Sequence, residues 1–396
     1  MSRSPILALA AAVSAFALAA CASEPPAAAA GDGAAPAAEA GFLIPGTEGA
    51  SLRAVALETF DSPWAMTFLP DGRALVTEKG GALWLLGPDG RKAGQVTGIP
   101  SVEARGQGGL GDIILHPDFA TTGEVYLSYA ERDGDNDELS GAAVEIATLT
   151  LTPSGGALSA RRVIWRQFES VPGNGHYGHR LAVSPDRYLF ISSGERQKFT
   201  PAQDMGSTLG KVVRLNLDGS VPADNPFAAQ GGPAAEVWTL GHRNPLGLAF
   251  AADGKLWLHE MGPRHGDELN LILPGQNYGY PEVSNGDHYD GREIPDHDTR
   301  PEFAAPAAYW VPAISPAGLD IYEGDLFPGW SGNALIGGLS SEALVRVAIA
   351  EDGTAAEAAR YEWGKRVREV EVGPDGAVYV LEDKDGARLL RLTPAG

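Results

Sequence analysis

Cysteine is nearly absent: Cys21 is the only one in 396 residues, so no disulfide can form within the chain. Positive charge is scarce, with 30 Lys and Arg against 51 Asp and Glu and a net charge of −21. Such a chain repels phosphate backbones, which excludes nucleic acid as a partner. Past the N-terminus no apolar run approaches the roughly 20 residues that a helical membrane span needs. Sustained 3.6-residue periodicity is missing, which argues against a helical fold. A P-loop, a Gly-x-Ser-x-Gly elbow and His-Glu-x-x-His are absent, since His259-Glu260 lacks a second His at the right spacing. Gly173-Asn-Gly-His-Tyr-Gly178 matches the dinucleotide fingerprint in letters, with Glu195 near the acidic position. The residues that follow contain Pro185 and read as turn plus strand. Without a helix after the glycines, no pyrophosphate site is formed.

The N-terminus sets the expected compartment. Arg3 precedes an Ala-rich apolar stretch from Ile6 to Leu18 that is too short for a span. Leu18-Ala-Ala-Cys21 resembles a bacterial lipobox. Residues 1–20 are therefore expected to be a lipoprotein signal peptide and Cys21 the lipid-bearing residue. Ala, Pro and Gly dominate the next segment, too little apolar surface to offset chain entropy, so 21–45 reads as a tether. The expected location is the periplasm, on the outer membrane, touching lipid through this anchor alone. Residues 46–396 are left for the fold, ample for a sizeable core.

A turn followed by a strand recurs along that remainder. Phe68-Leu-Pro-Asp71-Gly72-Arg-Ala-Leu-Val-Thr77 is echoed by Val183-Ser-Pro-Asp186-Arg-Tyr-Leu-Phe-Ile191. The form returns at Phe250–Leu258 and Val372–Val380, with a longer turn at Leu115-His-Pro-Asp118, and degraded at Ile321-Tyr-Glu-Gly324. Pro fixes φ and Gly accepts positive φ, so Pro-Asp-Gly sets a tight turn. Six such units predict an all-β fold, a six-bladed β-propeller of four-stranded antiparallel blades, each burying its faces against its neighbours.

Between the apolar strands lie loops dense in polar groups. They are Gly106-Gln107-Gly-Gly-Leu-Gly111, His176-Tyr-Gly-His179-Arg180, Gly241-His-Arg243-Asn244-Pro245, Glu260-Met-Gly262-Pro263 running on to Asp267-Glu268, and Arg366-Val-Arg368. Loops entering in turn from successive blades converge at the mouth of a propeller channel, the default place for a ligand. Taken together with His116-Pro-Asp-Phe and Gly-Gln-Asn-Tyr278-Gly-Tyr-Pro, these segments resemble the PQQ-dependent soluble aldose dehydrogenases, the glucose/sorbosone dehydrogenase family. The resemblance runs from about Leu52 to the C-terminus.

The resemblance implies oxidation of an aldose sugar at C1, with PQQ and calcium (Ca2+) as cofactors and a quinone or cytochrome as electron acceptor. It casts His176 as the general base, a role suited to an imidazole near its working pH. Arg243 and Asn244 match residues at the quinone oxygens, Arg366 and Arg368 the pair on the cofactor carboxylates, and Gln107 and Gln203 further polar contacts. The carbonyls of Gly262 and Pro263 match a calcium site, and Glu268 with the carbonyl of Tyr278 resembles a second, structural one. Two departures stand out. Leu339-Ser340-Ser341-Glu342 occupies the place of a cofactor-binding Lys, and Gly175 precedes the base where some members carry Asp. Two other readings compete: a calcium-dependent propeller lactonase or esterase, and a non-catalytic binding module. Arg366 and Arg368 speak against the first, and their coexistence with His176 and Arg243 against the second.

Overall fold

The recurring turns close as hairpins. Gly72, Gly254 and Gly376 each hold a positive φ (84°, 82° and 75°) at the same place in the turn. The Pro185-Asp186 copy has no Gly there, and Arg187 takes φ 69° in its stead. Each turn joins two strands, Pro63–Phe68 to Ala74–Glu78 being the first pair. The computed structural model describes residues 41–134 and 136–395; the leader, Cys21 and most of the expected tether lie outside them.

Four-stranded antiparallel meanders follow one another along the chain. The first runs from Pro63–Phe68 to Lys92–Thr97 and the second from Leu110–Leu115 to Gly155–Arg166. These two share one sheet, because Gly156 and Ala157 pair in parallel with Val96 and Thr97, a fusion that the repeats do not reveal. The third starts at Gly178–Val183, the fourth at Pro245–Phe250 and the fifth at Pro316–Ile321. The last takes Val367–Val372, Val378–Glu382 and Asp385–Pro394 from the C-terminus and Ser51–Asp61 from the N-terminal side. First strands of successive meanders touch, and Val367–Val372 returns to touch Pro63–Phe68, so the fold is propeller-like.

Apolar side chains fill each seam. Leu75 and Leu83 meet Leu127 and Tyr129; Tyr126 and Val144 meet Leu181 and Ile191. Phe190 and Val212 meet Leu248 and Leu258; Trp257 and Leu269 meet Ile321 and Ile336. Leu335 and Leu344 meet Val370 and Val380, and Leu381 and Leu389 meet Met66 and Val76. A fully buried side chain of this kind contributes roughly 1.5–3 kcal/mol, and no meander could bury its faces alone.

The start of the fold differs from the expected residue 46. Phe42–Pro45 already pairs with Ser51–Asp61, and Ile44 is fully buried beside Tyr361 and Leu52. Four residues suffice because one apolar side chain on a strand edge completes an existing seam. Among the described residues no helix is long and apolar enough to cross a membrane.

Candidate active site

One register detail places the functional groups. Apart from the second, where Leu110 meets Tyr129 inside Glu124–Asp133, each meander pairs the start of its first strand with the end of its second, as in Pro63↔Glu78, Gly178↔Ser193, Pro245↔Glu260 and Val367↔Glu382. In every meander the pairing also slips there, between Pro63 and Ala65, Leu110 and Ile113, Gly178 and Leu181, Pro245 and Gly247, Pro316 and Leu319, and Val367 and Glu369. A bulge re-aims the residues it holds, here Trp64, His179, Leu246 and Arg368. All four line one cavity of about 290 Å³ together with Lys79, Gln107, Asn244, Leu339 and Arg366.

Asn244 is 1% exposed, and neither end of its amide has a partner. A buried amide left unpaired costs about 1–3 kcal/mol, so a ligand with both donor and acceptor atoms would relieve it. Arg366 and Arg368 are clamped from behind by Asp383. Its Oδ2 accepts from Arg366 Nε at 2.7 Å, and its Oδ1 from Arg368 Nε at 3.0 Å. Burial pushes the Arg368 guanidinium below its ordinary value, against the pull of Asp383. Trp64 forms one wall, stacked on His179 at 4.8 Å and capped by the Arg180 guanidinium at 4.0 Å.

A second cavity, of about 240 Å³, is lined by His176, Glu195, Gln197, Phe199, Arg243, Pro263, Tyr280, His288 and Tyr289 among others. His176 Nδ1 lies 2.5 Å from Glu195 Oε1, a carboxylate with no exposed surface. Burial lowers the imidazole pKa and Arg243 adds to this, while the hydrogen bond to Glu195 works the other way. Burial by itself would raise Glu195, but the hydrogen bond and charge of His176 outweigh it and hold it low. This pairing fixes a proton on Nδ1 and leaves Nε2 to accept another. The side-chain Oε1 of Gln107 accepts from the His176 backbone amide at 2.7 Å. His176, Arg196, Gln197 and Phe199 all hold positive φ (49°, 58°, 60° and 64°), strain of the sort that clusters at functional sites. Arg243 donates to the Met261 carbonyl at 3.0 Å, and its Nε is buried without a partner.

The remaining expected residues are placed as follows. Gln203 is fully engaged with Asn277 (3.0 and 2.7 Å) and the Tyr280 carbonyl (2.8 Å), bracing a loop instead of lining either cavity. Gly262 follows the second strand of its meander, its amide donating to Asp267 Oδ1 at 3.0 Å. Glu268 is buried, with Asn270 and His297 each at 3.2 Å from its carboxylate. Tyr278 stacks on His242 at 4.8 Å, and His242 pairs with Glu260 at 2.8 Å. At Gly175 a β-carbon would fall 2.7 Å from the Gln197 amide, so Gln197 fills the space of a longer residue. Gln197, Asp383 and Lys79 escaped the sequence reading, and Glu195 entered it only as the acidic residue of the rejected dinucleotide fingerprint. His179, the other histidine beside the base, is buried and bound to Ser128 at 2.8 Å, and burial drives it down to about 3.

A bulged ring of strand ends facing a cationic cavity and a buried His–Glu pair defines a propeller-like protein with a candidate site at one end of its first strands. The model of the glucose/sorbosone dehydrogenase family matches residues 60–391, and the chain belongs to that family. It is 37% identical over 350 residues to the aldose sugar dehydrogenase YliI of Escherichia coli K12, covering 85% of this chain and 91% of the relative. The soluble aldose sugar dehydrogenase from Escherichia coli, crystallised in the apo-form, superposes with a TM-score of 0.81 at 36% identity, covering 87% of this chain and 99% of that one. The PQQ-bound form of an aldose sugar dehydrogenase from Streptomyces coelicolor gives 0.69 at 28% identity, covering 87% and 98%.

Proposed function

We propose that this chain is a six-bladed propeller that oxidises aldose sugars at C1 to the lactone, with PQQ and calcium bound. The observation that carries this is the pairing of two adjoining features. One cavity offers the unpaired amide of Asn244 and the guanidinium groups of Arg366 and Arg368. The next holds His176 on Glu195. A planar polycarboxylate with carbonyl oxygens matches the first donor set, because guanidinium binds carboxylate two-pronged. The relative with PQQ bound shares the fold over 87% of this chain.

When bound, PQQ would supply the two-electron acceptor that oxidation at C1 needs. His176 Nε2 takes the proton of the anomeric hydroxyl, and Glu195 holds the ring and steadies the imidazolium. Arg243 and Asn244 sit where positive charge and a donor favour negative charge on a ligand oxygen. Phe199, Tyr280 and Tyr289 wall the second cavity with apolar faces suited to a sugar ring. Among the described residues no three acidic or histidine side chains gather as a metal cluster. The carbonyls of Gly262 and Pro263 would hold the calcium, hard donors of the kind it prefers. A structural calcium at Glu268 and the Tyr278 carbonyl would share the carboxylate with Asn270 and His297. A quinone or cytochrome is the proposed onward acceptor.

Protein freed of cofactor and metal should regain dye-linked glucose oxidation only when PQQ and calcium are added together. Activity in excess chelator after long dialysis, or activity with NAD alone, would overturn the reading.

The same proposal places the enzyme in the periplasm on a lipid anchor at Cys21. Two or three acyl chains, at about 0.8 kcal/mol per buried CH₂, give a stable attachment. Wild type is expected in the membrane fraction after a high-salt wash, and Cys21→Ser in the soluble one. Wild type found wholly soluble would end the anchor claim and leave the enzymatic one standing.

A further inference from the structure

The cofactor cavity carries more positive charge than the two arginines supply. Lys79 lines it beside Arg366 and Arg368. Three cations thus face one carboxylate, Asp383, in a protein whose net charge is −21. The Lys79 ammonium donates to a neutral group, the carbonyl of Gly106, and not to an acid. Burial lowers its pKa and the charge of Arg368 lowers it further, while the charge of Asp383 works the other way without cancelling them. Like charges brought together in a half-buried wall destabilise the empty protein, and an anionic ligand reverses that cost.

The backbone holds Lys79 in place from both sides. Its amide donates to Ser62 at 3.0 Å and its carbonyl accepts from Leu110 at 3.1 Å. Gly109, with φ 118°, passes so close that a β-carbon there would meet the Lys79 carbonyl at 2.2 Å. Gly106, on the same loop, would likewise meet the Asn174 carbonyl at 2.3 Å. The glycines around Gln107 therefore let one loop run between Lys79 and the segment that carries His176. Across the cavity, the segment where a family lysine is replaced contributes apolar Leu339, whose carbonyl accepts from Arg366 at 3.2 Å.

We infer that Lys79, from the end of the second strand of the first meander, supplies the third cationic contact to the cofactor's carboxylates and stands in for the lysine missing near Ser340. This rests on the PQQ reading of the cavity. Lys79 comes from the first meander and the family's position from the fifth, with only the last meander between them, so the charge is retained while its origin moves.

Equilibrium titration of PQQ into cofactor-free protein with calcium present and no sugar, followed by quenching of tryptophan fluorescence, tests this without turnover. Lys79→Met should weaken binding by about 10- to 100-fold, the worth of a hydrogen bond to a charged group, and should flatten its dependence on ionic strength. Lys79→Arg should bind nearly as wild type does. Lys79→Gln separates charge from scaffolding, since it can still donate to Gly106. Binding as weak as that of Lys79→Met supports the inference, and wild-type binding overturns it. Wild-type affinity in Lys79→Met while Arg366→Ala is weakened would also overturn it and leave the PQQ reading intact. Absence of saturable PQQ binding by wild type would overturn both. A melting curve of each variant confirms that it is folded, and Lys79→Gln carries the test if Lys79→Met is not.

Discussion

His176→Ala is expected to lower turnover by roughly 10²–10⁴-fold, the usual worth of a positioned general base, with little change in PQQ affinity. The imidazole lines the second cavity while the cationic cluster lines the first, so proton removal and cofactor retention separate. A variant within a few-fold of wild type would move the base elsewhere. His179 is a poor substitute, because it is stacked under Trp64 and bound to Ser128. Glu195→Gln gives a second readout. The carboxylate works to raise the His176 pKa against burial, so its loss should lower that pKa further. Activity requires neutral imidazole, hence the acid limb of the rate profile should move to lower pH while the plateau rate falls. An acid limb that moves up, or does not move, would mean that Glu195 only fills space.

Much of this fold was legible because Pro-Asp-Gly turns carry a local signal that needs no tertiary context. All of them mark the hairpin between first and second strands, at the opposite end of those strands from the site. Four of the five loops read as functional, those at Gln107, His176, Arg243 and Arg366, precede first strands and carry dense polar motifs, and only the one at Gly262 follows a second strand. The groups that were missed all follow second strands. Lys79 comes one residue after Glu78, Asp383 one after Glu382, and Glu195 two after Ser193. Each looks in sequence like an ordinary polar residue ending an apolar run. Only the antiparallel register sets them beside the starts of the first strands. A search for charged residues at that one position in every repeat would have found them. Gln203 shows the converse. Its amide is polar and near the right loop, yet Asn277 and Tyr280 consume it, a pairing across 74 residues that no local pattern reveals.

Glu369→Ala is expected to destabilise the fold by about 3–5 kcal/mol, the cost of stranding a buried partner charge. Arg180 is 5% exposed and Glu369 4%. Glu369 accepts from both terminal nitrogens of Arg180, at 2.9 and 2.6 Å, while Arg180 Nε donates to the Leu246 carbonyl at 2.8 Å. Asp112 stands farther off, at 3.6 Å, and its carboxylate already accepts from the Ile113 and Leu181 amides at 3.0 and 2.8 Å. It can therefore replace little of what Glu369 gives. The pair joins the first strands of the third and last meanders across the ring, and it supports the site as well. Arg180 caps Trp64, which walls the cofactor cavity, so Glu369→Ala should also weaken PQQ binding through a residue that does not touch the ligand. Removing both charges together, as in Arg180→Met with Glu369→Leu, strands neither member of the pair, and Asp112, although it loses the cation 3.6 Å away, keeps two amide donors, so the double variant should be less destabilising than Glu369→Ala alone. Urea unfolding of wild type, the single and the double variant supplies the comparison. A midpoint for Glu369→Ala equal to that of wild type would show that Arg180 finds Asp112 or water at no cost, and the ring would not depend on this pair.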